Sequence, residues 1–242
     1  MNEHRDHCAK LLSLAVHEFR SPLAVVSGYL RLLVKHFGEN LTEKQLQLLQ
    51  ESEKSCGTLS KLLADLGELG QLEAGAVAMR LEPVAIFALL RDVASNEPEG
   101  SDRGVTLEVV TPEADVVVAG DRTRLSTALT SVLHAALRER PGAARLTACG
   151  LVEHDPVPRV LISVDEGDAP SSAAGLQPDD AAFDEYRGGL GFRLPAAARV
   201  IEAHGGRVHS PMTERGRLAI VVALPLASPG TEKTSPDAEK IG

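Results

Sequence analysis

Residues 8–37 read CAKLLSLAVHEFRSPLAVVSGYLRLLVKHF, and this stretch decides how the chain begins to fold. Two seven-residue series of apolar side chains interleave in it, Leu12, Phe19, Val26 and Leu33 in one and Val16, Leu23, Leu30 and Phe37 in the other. The resulting spacings of four and three residues predict one long helix packed in a bundle of the coiled-coil kind. Pro22 removes one backbone hydrogen bond inside this helix and should bend it locally. We expect the helix to end near Gly38.

A second helix is predicted to begin just after the turn, at Thr42. Gln45 follows three residues later, which is the spacing of a capping box. The apolar seam of this helix also repeats in sevens. Its members are Leu49, Ser52, Cys56, Leu59, Leu63 and Leu66. The helix should end by Gly70 or Gly75, so that two long helices joined by a short turn form an antiparallel hairpin.

The two seams of this hairpin need a partner, because one hairpin cannot bury both of them. Pairing with a second copy of the chain gives a four-helix bundle across a two-fold axis, and we expect this homodimer. The alternative is that both seams pack against the C-terminal part of the same chain.

After Gly75 the pattern changes to shorter segments. The predicted helices are 84–93, 125–137 and 194–203, and the predicted strands are 105–110, 116–119, 146–152, 160–164 and 218–224. Strands mixed with helices indicate a two-layer α/β sandwich. The chain therefore divides into a helical hairpin at residues 1–75, a sandwich at residues 76–227 and a polar tail at residues 228–242, which we expect to be disordered.

Composition excludes several classes of function. The 242 residues contain 25 Lys and Arg against 34 Asp and Glu, and a net charge of −9 argues against a nucleic-acid binder. No apolar run approaches the roughly 20 residues that span a bilayer, so no membrane association is expected. The N-terminus, MNEHRDHCAK, lacks the apolar region of a signal peptide. Three scattered cysteines are interpreted as free thiols in a reducing cytoplasm.

The first candidate site is the string HEFRSPL at residues 17–23. His17 follows the seam residue Val16, so it should lie on the flank of the bundle, within reach of solvent and of another domain. Glu18 can hold the Nδ1 proton of the imidazole and leave Nε2 free as a nucleophile. Ser21, one turn later, shares the His17 face and could position a water molecule. A zinc site of the HExxH type is excluded, because Ser21 occupies the position of the second histidine.

This string resembles the phosphoacceptor box of two-component sensor histidine kinases, and the hairpin around it resembles their dimerisation and histidine-phosphotransfer domain. The resemblance implies that His17 receives a phosphoryl group, that Glu18 acts as a base and that Ser21 assists dephosphorylation. It also implies an α+β fold class. The helical hairpin, a four-helix bundle on dimerisation, would be followed by a two-layer α/β sandwich of the Bergerat type, the ATP-binding domain of the GHKL group.

A second candidate site follows the strand predicted at 160–164. The carboxylate of Asp165 at a strand end can accept the exocyclic amine of adenine, and Gly167 lets the backbone come close to the base. Such a turn is common and indicates little by itself. The histidine kinase family, however, has an Asp-x-Gly-x-Gly box here; Asp165 and Gly167 match it, and Ala169 replaces the final glycine.

A third candidate is the glycine-rich loop before the last predicted helix. Such a loop offers backbone N–H groups and the positive end of the helix dipole to phosphates. It resembles the second glycine box of the same family, and the matching residues are Gly189, Leu190 and Gly191. Arg187 stands where the first glycine is usual. Phe183 resembles a remnant of the family's phenylalanine box. Only a short segment separates Phe183 from the glycine loop, which implies that the flexible lid that covers ATP in the family is shortened here.

A fourth segment departs from the family. Residues 121–138 align with its asparagine box, in which two asparagines four residues apart share a helix face and the second carries Mg²⁺. Ser131 and Ala135 occupy those positions here. Ala135 has no ligand atom, although Mg²⁺ requires oxygen ligands, and His134 is turned about 100° away around the helix. The resemblance implies ATP and Mg²⁺ as cofactors, with Ser131 beside the nucleotide, and Ala135 argues against the Mg²⁺ site.

Three functions remain open at this point. In the first, a soluble, homodimeric histidine kinase uses ATP to phosphorylate His17 and passes the group to the receiver domain of a response regulator. In the second, a phosphotransferase or phosphatase uses His17 without ATP. In the third, a pseudokinase acts only by docking a regulator or another kinase. The intact phosphoacceptor box argues against the third, and the missing Mg²⁺ ligand argues against the first. With no sensor or receiver segment recognised, we expect the signal to come from a separate sensor protein.

Overall fold

The computed structural model of the chain describes residues 2–98, 100–155, 157–166, 183–185, 187–211 and 219–227. Of residues 2–6 and 8 it describes the backbone alone. The expectations for Gly167, for Ala169 and for a disordered tail at 228–242 therefore lie outside the described residues.

The chain begins with the predicted antiparallel hairpin. Helix α1 spans Asn2–Phe37, continues through Pro22 and starts six residues earlier than the periodicity predicts, and α2 spans Glu43–Glu73. Thr42 Oγ1 accepts a hydrogen bond from the Gln45 backbone N–H at 3.4 Å, and the Thr42 backbone N–H donates to Gln45 Oε1 at 2.9 Å. The capping box is confirmed, and it sets the start of α2 after the turn.

The apolar side chains of α1 fall into a covered set and an exposed set. Val16 is buried against α2, where a Cβ placed on Gly67 would lie 3.5 Å from Val16 Cγ1. By contrast, Phe19, Val26 and Leu33 are 61%, 49% and 42% exposed. The described part of the sandwich does not cover this second set, contrary to the alternative in which both seams pack against the same chain.

The remaining elements form the sandwich. In chain order they are β1 Glu82–Ala85, α3 Ile86–Ser95, β2 Val105–Val110, β3 Val117–Gly120, α4 Arg122–Arg138, β4 Ala144–Glu153, β5 Arg159–Glu166, α5 Arg193–Ala203, β6 Arg207–His209 and β7 Ile220–Pro225. Five strands make a mixed sheet in the order β2-β4-β5-β7-β6, with β2 and β4 parallel and the other neighbours antiparallel. The three helices pack their apolar faces on one side of this sheet and form the main core with it. The predicted α+β fold class is confirmed.

Two short strands differ from the sequence prediction. The segment predicted as a helix over 84–93 begins as strand β1, in which Val84 is paired antiparallel with Val118, and α3 starts only at Ile86. A short apolar run does not distinguish a strand from a buried helix by its periodicity alone. Strand β6, with three residues, is too short to leave a pattern and was not predicted.

The hairpin and the sandwich contact each other through α2. Leu72 at the end of α2 belongs to the sandwich core. Two ion pairs bracket the contact, Arg124 with Glu68 at 2.9 Å and Arg199 with Glu73 at 2.5 Å. Helix α2 therefore contacts both α1 and the sandwich.

Candidate functional site

The imidazole of His17 is presented to solvent on the flank of α1. Its side chain is 85% exposed, and that of Glu18 is 69% exposed. Consecutive helical residues are turned by about 100°, so the burial of Val16 against α2 directs His17 outward. Nδ1 of His17 lies 3.5 Å from Oε1 of Glu18, which leaves Nε2 as the ring nitrogen available to another molecule. The predicted exposure is confirmed, and the role of His17 as phosphoryl acceptor stays a prediction.

Ser21 is exposed one turn further along α1 and continues the His17 face. It adjoins a stripe of exposed apolar side chains, Leu14, Val25 and Leu32, which lie within about 40° of it around the helix. This stripe is separate from the exposed set that contains Phe19 and Val26. Helix α1 thus carries two uncovered apolar surfaces, and one of them borders the acceptor box.

Asp165 lies on the side of the sheet that faces away from the helices. Side chains alternate between the two faces of a strand, and Ile162 and Val164 of β5 belong to the helix-covered core. Asp165 is buried opposite Thr147, and its Oδ1 accepts the Glu166 backbone N–H at 2.6 Å. Neighbouring Glu166, paired with the core residue Leu146, falls on the helix side instead.

Ser131 and Ala135 lie on the buried face of α4. The hydroxyl of Ser131 donates to the Thr127 carbonyl oxygen at 3.0 Å, a bond within its own helix. Ala135 is fully covered, with 0% of its surface exposed. Because α4 packs on the other side of the sheet from Asp165, the structure does not bring Asp165 together with these two residues.

The glycine loop, residues 187–191, packs directly against helix α4. A 3₁₀ turn at Arg187–Gly189 leads into α5, and Leu190 is buried. A Cβ placed on Gly188 would lie 2.9 Å from Ala135 Cα and 3.1 Å from Ala135 Cβ. On its other side the loop meets the hairpin, where a Cβ on Gly191 would lie 3.4 Å from Leu62 Cδ2. The loop thus lies between α4, which it meets through Gly188, and α2, which it meets through Gly191.

Arg187 has a structural role that the sequence pattern did not predict. Arg187 is 7% exposed, and its guanidinium donates two hydrogen bonds to the carboxylate of Glu139, at 2.7 and 2.6 Å. It also donates to Ser210 Oγ at 3.0 Å and to the Ala219 carbonyl oxygen at 2.9 Å. Glu139 lies 48 positions away from Arg187 in the sequence. The opposite charges of the two residues are therefore the one sequence signal for this ion pair.

The comparisons with known proteins agree with this architecture. Residues 9–75 match the His Kinase A (phospho-acceptor) domain. Over 225 residues the chain is 28% identical to the signal transduction histidine-protein kinase BaeS of Escherichia coli, covering 87% of this chain. A crystal structure of full-length ShkA in complex with AMPPNP superposes on 90% of the chain with a TM-score of 0.69 and 27% identity.

The helical hairpin belongs to the His Kinase A (phospho-acceptor) domain family, and over most of its length the chain is similar to sensor histidine kinases of two-component systems. A second relative is the phosphate regulon sensor protein PhoR of Pseudomonas aeruginosa, 26% identical over 79% of this chain. The chain spans 45% of the length of BaeS, 44% of that of PhoR and 46% of the ShkA chain. The names of these relatives describe protein histidine kinases and sensor proteins. In the described ranges, no helix combines the length and the apolarity needed to cross a membrane.

The cofactors that this family implies can be tested against the residues present. ShkA was crystallised with an ATP analogue, so the fold accommodates a nucleotide in that kinase. In this chain the position expected to carry the Mg²⁺ ligand is Ala135, which has no oxygen on its side chain and is covered by Gly188. Within the described ranges, no three His, Cys, Asp or Glu side chains are grouped to hold a metal ion. These residues do not fit Mg²⁺.

The carboxylate of Glu166, on the helix side of β5, forms an ion pair. Arg140, buried just beyond the end of α4, donates from Nη1 to Glu166 Oε2 at 3.3 Å. Among the described residues, Nε of Arg140 is buried with no hydrogen-bond partner. The carboxylate that Arg140 holds near the end of α4 is that of Glu166.

Charge is also arranged between the hairpin and the sandwich. Burial raises the pKa of Asp65 in α2, and the positive charge of Arg193 in α5 partly opposes this shift. For Asp121, which caps α4, burial acts upward, but hydrogen bonds from the backbone N–H groups of Arg124 and Arg80 and the charge of Arg124 hold its pKa below the usual value. Acidic groups on α2 thus face arginines on the sandwich.

Proposed function

We propose that the chain works in a two-component phosphorelay in which His17 exchanges a phosphoryl group with an aspartate of a response-regulator receiver domain. The observation that carries this function is the imidazole itself, 85% exposed on a long helix inside a matched phosphoacceptor domain. A nucleophile that must reach a second protein needs such an exposed position. The names of the relatives as histidine kinases support the same class of chemistry.

The residues around His17 supply what this transfer needs. Nε2 attacks the phosphorus of the receiver's aspartyl phosphate, the bond from phosphorus to the carboxylate oxygen breaks, and the aspartate leaves as a free carboxylate. The imidazole becomes cationic, and Glu18, 3.5 Å from Nδ1, stabilises it and takes its proton. The reverse transfer uses the same atoms. Exposed Ser21 is placed to hold the water that hydrolyses the phosphohistidine.

The two uncovered apolar surfaces of α1 support two kinds of partner. The surface with Phe19, Val26 and Leu33 continues the seam of the hairpin and fits a second copy of the chain, giving the four-helix bundle. The stripe with Leu14, Val25 and Leu32 borders Ser21 and fits a receiver domain that must approach His17. Dimer and receiver can therefore use different sides of one helix.

A kinase that phosphorylates His17 from ATP is the second candidate, favoured by the AMPPNP complex of ShkA. The arrangement of α4 disfavours it for this chain. Ala135 supplies no Mg²⁺ ligand and lies under Gly188, and Asp165 faces the other side of the sheet. Receiver-dependent exchange uses none of these residues.

The two candidates are separated by the source of the label on His17. The full chain is incubated in parallel with receiver domains carrying ³²P-aspartyl phosphate and with labelled ATP and Mg²⁺. We expect acid-labile label from a receiver, its loss in His17→Ala, and its retention in His36→Ala, an exposed histidine on the same helix. Label that persists in His17→Ala, or that no receiver delivers, contradicts the proposed exchange. Label from ATP supports the kinase instead.

A further inference from the structure

The glycine loop occupies the surface of α4 that a nucleotide with its metal ion would need. Ala135 is fully covered, and Gly188 packs against it: a Cβ on Gly188 would lie 2.9 Å from the alanine Cα and 3.1 Å from the alanine carbonyl oxygen. Gly188 has a φ of +70°, a conformation that a residue with a side chain rarely adopts. Only glycine lets the loop come this close to the helix.

The side chain of Arg187 holds the loop in this position through hydrogen bonds. The guanidinium of Arg187 forms hydrogen bonds at 2.6–3.0 Å to Glu139 beyond α4, to Ser210 beyond β6 and to the carbonyl of Ala219 before β7. A bidentate pair between arginine and carboxylate is among the strongest hydrogen-bonded contacts in proteins. Because the guanidinium is buried, pulling it out would leave both charges unpaired in a poorly solvated place.

The loop is also held from the hairpin side. Leu190 is buried in the sandwich core, and the next residue, Gly191, meets Leu62 of α2. The helix that follows places Arg193 near Asp65 of α2, whose charge it opposes. The loop therefore lies between two helices, with the arginine contact at one end and the hairpin contact at the other.

We propose that Arg187 locks the glycine loop onto α4, so that the sandwich domain does not take up Mg²⁺ and ATP and instead forms a fixed support for the hairpin. Arg187 is a positioning residue here, because it acts through the loop. The phosphoryl group on His17 then has to come from another protein, and this last consequence alone depends on the proposed role of His17. The closure of the loop stands or falls independently of that role.

Nucleotide binding tests the closure directly. The full chain is titrated with an ATP analogue carrying a fluorescent methylanthraniloyl group, with and without Mg²⁺. We expect no saturable fluorescence change in the wild type under either condition. A saturable change that unlabelled ATP reverses would overturn the lock, whatever the outcome of the His17 labelling.

Amide hydrogen exchange tests the part played by Arg187. We expect the amides of residues 187–191 to be protected in the wild type and to exchange at least about tenfold faster in Arg187→Ala, while the hairpin keeps its protection. The matched control is Arg145→Ala, which breaks an exposed pair with Glu108 on the far strands of the sheet and should leave the loop unchanged. Ser210→Ala, which removes one neutral partner of the guanidinium, serves if Arg187→Ala does not fold, and should give a smaller increase. Unprotected loop amides in the wild type, or protection unchanged in Arg187→Ala and Ser210→Ala, would overturn the proposal.

Discussion

Gly188 lies on Ala135: a Cβ added to the glycine would come within 2.9 Å of the alanine Cα. The two residues are more than fifty positions apart in the sequence, yet each permits the other. Because residue 135 of α4 is an alanine, the loop can pack close to the helix. Because residue 188 of the loop is a glycine, the loop can contact the helix backbone. In relatives that hold a metal ion at this helix position, the same space would have to stay open.

Substitution of Ala135 by asparagine restores the residue that the family uses, but the structure leaves no room for it. We expect Ala135→Asn to lower the free energy of unfolding by about 1–3 kcal/mol, as other overpacked core substitutions do, and to give no labelling from ATP. Urea denaturation and incubation with labelled ATP check the two parts. Thr127→Asn, an exposed position on the same helix, is the control and should be neutral. An Ala135→Asn variant as stable as the wild type would show that the loop is not packed on α4.

Substitution of Gly188 by alanine tests the same contact from the other side. The left-handed conformation costs roughly 1–2 kcal/mol for a residue with a Cβ, and the new methyl group would also collide with the α4 backbone. We therefore expect a loss of about 2–4 kcal/mol in the free energy of unfolding, measured in urea. Gly142→Ala is the matched control, because nothing lies within 4 Å of its Cβ position and its φ is ordinary. Equal stability of the two variants would contradict the contact.

The pH dependence of stability should reveal the half-buried carboxyl of Asp65 between hairpin and sandwich. Burial raises the pKa of Asp65 above its ordinary value of 3.8, so the contribution of this carboxyl to stability is complete below pH 3.8 and is lost as the pH rises through the folded-state pKa. We expect Asp65→Asn to gain stability relative to the wild type as the pH rises from 4 to 7, followed by thermal denaturation across that range.

Asp121 supplies the control of opposite sign. Burial acts against its lowered pKa, but the hydrogen bonds it accepts at the start of α4 and the charge of Arg124 outweigh burial. The contribution of the Asp121 carboxylate to stability is present above pH 3.8 and is lost as the pH falls through the folded-state pKa. Asp121→Asn should therefore be least stable, relative to the wild type, at neutral pH. The same trend in both variants would mean that the two carboxyls do not differ in environment.

The uncovered seam of α1 predicts the effect of a charge on assembly. Phe19 is 61% exposed in the single chain and would be buried twice in a two-fold dimer. We expect Phe19→Asp to raise the dimer Kd by at least about a hundredfold, measured by sedimentation equilibrium. Leu32→Asp is the control, because this exposed residue is turned about 140° from Phe19 around the helix and should leave the dimer intact. A wild type that stays monomeric at high concentration would contradict the expected homodimer.

Local patterns predicted the elements that repeat over many residues. The sevens of α1 and α2 and the capping box at Thr42 each depend on neighbours within one or two turns of the helix, and all are found in the structure. The two strands at Glu82–Ala85 and Arg207–His209 escaped prediction because they have four and three residues, too few for a period to show. Their pairing is decided by the strands beside them.

The sequence by itself determined the helical hairpin, the mixed sandwich and the exposure of His17, because each follows from residues close together in the chain. Only the tertiary structure decided which face of β5 carries Asp165, since a shift of one residue in a strand moves a side chain to the opposite side of the sheet. It also decided that Arg187 would meet Glu139, because a contact across 48 residues depends on how loop and helix pack and leaves no periodic signal. The exposed position of His17 could thus be predicted from the amino-acid order, whereas the closure of the loop on α4 required the packed fold.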